Sequence, residues 1–130
     1  ELCHSYVGPI LDRHSSVLQA ACERVVPLLG EAYRRNYGTK WRTMMGESLV
    51  RACTVRYVDT FDGPDAAAQL VEADKRLGLP WIGQMTDLLR RYEDQRNVFV
   101  TLDEYVPEIA AFFLEYDLGR PPSSSAPATR

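Results

Sequence analysis

No stretch of this chain carries the about 18 consecutive apolar residues that a membrane-crossing helix needs, so no membrane span is expected. The opening Glu1-Leu2-Cys3-His4 has no basic segment followed by an apolar one, so no secretory leader is read there. It has no initiator Met, and a piece of a longer protein is expected. Cysteine is scarce and odd in number. Cys3, Cys22 and Cys53 are too widely spaced for a disulfide framework, which points to a reducing, cytoplasmic setting. Cys22 and Cys53 fall on apolar helix faces, where a free cysteine behaves as a small hydrophobe.

The apparatus of catalysis is equally thin. His4 and His14 are the only histidines and no Cys-x-x-Cys occurs, so no recognisable motif assembles a zinc site. No Gly-rich phosphate loop and no nucleophile elbow are present. Asp103, Glu104 and Glu108 could hold an acid and a base, but an exposed helix face makes them ordinary solvated carboxylates. A protein that is not an enzyme and has no cofactor is the expectation.

What the chain does have is helical periodicity. Its 130 residues suit one domain with a sizeable core. Ile10, His14, Val17, Ala21 and Val25 make one stripe, which predicts a helix from Pro9 to Val25 broken by Pro27. A short helix follows over 27–36 and ends at Gly38. Trp41, Met45, Leu49, Ala52 and Tyr57 predict a helix over 39–59. The run TFDGPD is a loop by composition. Helices are then predicted over 64–77, 80–92 and 102–118, with Gly119 as the last cap and the Pro- and Ser-rich 120–130 as a disordered tail or linker. The fold expected is all-α, with five to seven helices. Residues 1–38 pack as extra N-terminal helices on a 39–119 core.

Charge is uneven. Residues 31–56 hold six basic and two acidic side chains, whereas 93–119 hold seven acidic and one basic, Arg96. Two faces with different partners would produce this pattern. Within the basic half, 33–42 interleaves Arg34, Arg35, Lys40 and Arg42 with Tyr33, Tyr37 and Trp41. Arginine and lysine meet phosphates and aromatics stack on unpaired bases, so a single-stranded nucleic-acid module is the alternative function. The acidic remainder and the low isoelectric point weigh against it.

The segment from Leu77 to Phe113, LGLPWIGQMTDLLRRYEDQRNVFVTLDEYVPEIAAFF, resembles the second half of an EF-hand pair. With Glu104 at loop position 12, Glu93 falls at 1, Gln95 at 3, Asn97 at 5, Val98 at 6 and Thr101 at 9. The first unit would place its loop over 58–69 with Gln69 at position 12, and the likeness covers about 40–117. Glu93, Asn97, Thr101 and Glu104 are the degenerate ligand candidates; too few carry charge, and Val98 replaces the turn glycine, so no calcium is expected. Thr101 and Glu104 also form a capping box whatever the ancestry. The resemblance implies at most one short strand pair, joining Phe99 or Val100 to the loop near Phe61. It also implies a cleft between paired helices. Met44, Met45, Met85, Leu89, Tyr105 and Phe112 are the candidate lining, which would take a partner helix or peptide, or a second copy of the chain, without calcium.

Overall fold

A computed structural model describes residues 2–118; Gly119 and the 120–130 tail expected to be disordered lie outside the described residues. Seven α-helices occur among them: α1 (Leu2–Arg13), α2 (Ser15–Val25), α3 (Glu31–Tyr37), α4 (Trp41–Asp62), α5 (Pro64–Leu77), α6 (Ile82–Asp94) and α7 (Leu102–Leu114). A single 3-10 turn, Val26–Leu28, joins α2 to α3. The all-α expectation holds.

The long α4 is the axis. It packs against α1, α2, α5 and α6, and α7 closes the far side on α2 and α6. Its inward face is Met44, Met45, Leu49, Ala52 and Val55, all buried. Trp81 is fully buried beside it. The indole N–H donates to Ser48 Oγ at 2.9 Å, and the ring meets Phe113 edge to face at 5.4 Å. A buried tryptophan needs such an acceptor, so Ser48 is a polar residue the core requires.

Several expected boundaries move. Pro9 lies inside α1, not in a first turn, because the buried Val7, Ile10 and Leu11 carry the helix past it. A further break comes at His14, where Arg13 and His14 both turn to Asp103 on α7. The Pro27 break and the Gly38 cap stand, Gly38 having φ 85°.

The larger corrections concern the two loops. The predicted loop over 58–69 is helical except at Gly63, whose φ of 100° turns the corner between α4 and α5 unaided. Pro64 supplies the preset φ of the next helix start, so one glycine suffices where composition suggests a loop. Between α6 and α7 the connection is only 95–101. Val98 does not take the left-handed conformation of the turn glycine, since no non-glycine described residue has positive φ. No strand forms among the described residues, so Phe99 and Val100 pair with nothing near Phe61, which is itself on α4.

Candidate functional site

The four loop candidates separate. Glu93 belongs to the last turn of α6 and receives Arg56 with both oxygens, at 3.0 and 2.7 Å. That pair, with Asp59 at 2.8 Å, holds the Arg56 guanidinium firmly in its charged form. Asn97 is exposed in the connection. Thr101 is the N-cap of α7 and accepts from the Glu104 amide at 3.3 Å. Glu104 reaches back to accept from the Val100 amide at 2.8 Å, one residue ahead of the N-cap, so it ties down the entry to the helix while Thr101 meets an orphan donor. The chemistry of this run is helix initiation. Among the described residues no three His, Cys, Asp or Glu side chains converge as metal ligands would.

The expected cleft lining is also corrected. Met44, Met45 and Met85 are fully buried, and Leu89 and Tyr105 nearly so. Only Phe112 is half-buried. Seven helices, not two loop-linked pairs, surround these side chains, and the area that would face a partner is spent on α1, α2 and α7. Tyr105 adds a hydrogen bond from its hydroxyl to the Leu88 carbonyl at 3.0 Å.

In the basic segment most charges are occupied. Arg34 donates to the Leu29 and Pro27 carbonyls at 2.9 and 2.8 Å and braces the turn before α3. Arg35 faces Glu31 at 3.4 Å, and Arg42 meets Asp12 at 2.9 Å. Lys40 is exposed at the head of α4. Tyr33 is buried and stacks on Tyr37 at 4.8 Å. Two of the aromatics therefore serve a helix junction.

Two surface features were not legible as sites. On the last turns of α4, Tyr57 and Phe61 are 63% and 68% exposed and their rings lie 4.6 Å apart. They are one turn apart, on the side of α4 away from Val55 and its buried neighbours. A groove of about 560 Å³ runs between α5 and α6, floored by Ala67, Val71, Gly83 and Thr86. Helical spacing assigns Tyr57 to a core stripe; the true stripe runs through Ala52 and Val55, and exposure cannot be read from spacing alone.

A partly buried charged cluster also escaped the sequence. Arg51 on α4 donates to Asp74 on α5 at 2.7 Å, to Glu47 at 3.2 Å and to the Tyr37 hydroxyl at 3.1 Å. Asp74 is 3% exposed. Finally, Glu1-Leu2-Cys3-His4 has the order E-x-x-H, the last four positions of the H-E-x-x-H zinc motif, and His4 lies on α1. That order was the available signal for it.

A profile of a family described as Domain of unknown function (DUF4932) matches residues 1–112, and the chain belongs to that family. No curated protein and no solved structure matches the chain.

Proposed function

We propose that this DUF4932 chain is a non-enzymatic interaction module that docks a partner protein on the outer face of α4, without calcium. The reading is carried by Tyr57 and Phe61. Two large rings tilted against each other in the open, on the last turns of a 22-residue helix, lose apolar contact with water only when something covers them. Aromatic anchors one turn apart suit a pair of adjacent apolar pockets on a partner, or the same face of a second copy. The relocated surface replaces the buried cleft lining. A single-stranded nucleic acid is the weaker candidate, because Arg34, Arg35 and Arg42 already serve carbonyls and carboxylates of this chain. A buried Cys22, and three cysteines too widely spaced for a disulfide framework, suit a reducing, cytoplasmic setting. The test is photo-crosslinking in the full-length protein in its own cells, from a reactive residue at Phe61, with Gln69 on α5 as the comparison. A defined adduct at Phe61 that disappears in Tyr57→Ser is expected. Equal, diffuse labelling from both positions overturns the reading.

A second reading is favoured by the E-x-x-H order alone. Glu1 would act as general base and His4 as one ligand of a zinc-dependent hydrolase. It requires a histidine directly ahead of Glu1 in the full-length chain and a further ligand from elsewhere. Any other residue at that position removes it. If histidine stands there, metal analysis of the full-length protein with and without His4→Ala decides.

A further inference from the structure

The junction of α3, α4 and α5 gathers two carboxylates around one guanidinium with little water. Asp74 and Glu47 side chains are 5% and 15% exposed, and Arg51 lies between them. Arg51 satisfies Asp74 Oδ1 alone. Asp74 Oδ2 and Tyr33 Oη are buried and have no hydrogen-bond partner among the described residues. A buried ionised oxygen without a partner is costly, so this carboxylate is incompletely served by Arg51.

We propose that this junction is a proton-binding site, filled at Asp74 Oδ2 on acidification, and that filling it stabilises the junction of α4 and α5. Oδ1 keeps accepting from Arg51, while the proton occupies the oxygen that Arg51 leaves unserved. The groups that face Asp74 pull in both directions, and burial is the largest of them. Burial pushes its carboxyl above the ordinary value, Arg51 opposes this, and Glu47 adds to it. Tyr33 and Tyr37 approach from α3; burial drives the Tyr33 phenol well up, so it stays neutral and adds no charge of either sign. On α5 itself Lys75 is paired with Glu72 at 3.3 Å. The position matters to the fold, because the Asp74 carbonyl also accepts the Gly78 and Leu79 amides at the end of α5.

The linkage sign follows. A carboxyl raised in the folded state binds its proton there more readily than in the unfolded chain, so the folded state gains as pH falls through the raised value. The experiment is a carbon-13 NMR titration of the side-chain carboxyls of the folded protein between pH 7 and 4. Asp74 should titrate above the about 3.9 of an exposed aspartate, and Glu47→Gln should lower its midpoint. A midpoint at or below the exposed value overturns the proposal. Denaturant unfolding across the same range gives a second readout. Relative to Asp74→Asn, the unfolding constant of the unmodified chain should fall by up to about tenfold per pH unit through the transition. Parallel profiles, or a rise on acidification, overturn it. Should Asp74→Asn fail to fold, the titration decides alone.

Discussion

Gly30 and Gly78 cross backbone to backbone: the Gly30 amide donates to the Gly78 carbonyl at 3.0 Å. A Cβ on Gly30 would lie 2.7 Å from the Gly78 Cα, and one on Gly78 would lie 2.8 Å from Gly30. The start of α3 is thereby pinned to the link between α5 and α6.

Either alanine must push two backbones apart. Gly30→Ala should destabilise by about 1–3 kcal/mol, the usual cost of overpacking. Gly78→Ala should cost more, because its φ of 128° adds about 1–2 kcal/mol for any residue with a Cβ. Urea unfolding of both variants checks the order. A neutral Gly78→Ala would mean that the two links do not cross so tightly.

Ser48 carries a second expectation. Ser48→Ala leaves the Trp81 indole N–H buried without its acceptor, at a cost of about 1–3 kcal/mol. Trp81→Phe with Ser48→Ala removes both polar partners but leaves a void, so the double variant should lose less than the sum of the single ones. A double-mutant cycle by thermal unfolding measures that coupling.

How much of this could be read from the residues alone depends on which interaction decided each point. The period of Met45, Leu49 and Ala52 betrays α4, since an amphipathic helix writes its buried face into the chain. Gly63 and Gly38 mark real corners, because positive φ is a local demand. The loop over 58–69 misleads: TFDGPD has loop composition, yet α4 runs to Asp62 and α5 starts at Pro64, with Gly63 alone between them. The pairing of Arg51 with Asp74, 23 positions apart, depends on how α4 meets α5, and nothing local announces it. The same holds for the methionines. Spacing shows that Met44 and Met85 face inward, but whether inward means cleft or core is set by α1, α2 and α7. The E-x-x-H order, by contrast, was visible as it stood.

The connection between α6 and α7 should behave as a helix start. Thr101→Ala should cost about 1 kcal/mol through the lost cap. Glu93→Gln should cost less than about 1 kcal/mol, because its partly exposed pair with Arg56 is screened and Arg56 keeps Asp59. Neither loss should change when calcium is added. Losses that appear only in calcium, together with micromolar binding by calorimetry, would restore the ligand role to Glu93 and Glu104.

Oligonucleotide binding separates the two partner classes. Arg35→Glu with Lys40→Glu should leave the fold intact, since both side chains are exposed. No sub-micromolar affinity for a single strand is expected from the unmodified chain at physiological salt, because the acidic residues of 93–117 repel a polyanion. Fluorescence anisotropy at two salt concentrations checks this. A tight, salt-dependent affinity abolished by the double variant would put nucleic acid first.

Asp103 should answer acid in the opposite sense from Asp74. Arg13 holds its carboxylate with both donors at 3.0 and 2.9 Å, and His14 Nε2 lies 2.8 Å away. Those hydrogen bonds, Arg13 first, keep the Asp103 carboxyl below its ordinary range. A depressed folded value means that the unfolded chain takes up the proton first. The stability from this clasp is therefore present above the unfolded value of about 3.9 and is lost as pH falls below it. Asp103 is a third exposed, which limits the size of the effect without changing its sign. Asp103→Asn should lower stability at pH 7 and flatten the acid limb below about pH 5. It should leave the milder-pH response assigned to Asp74 in place. Unfolding curves of the two Asn variants, collected from pH 7 down to 3, should diverge from the unmodified chain in opposite directions. Divergence in one direction would show that Arg13 and His14 do not hold Asp103 in solution as they do here.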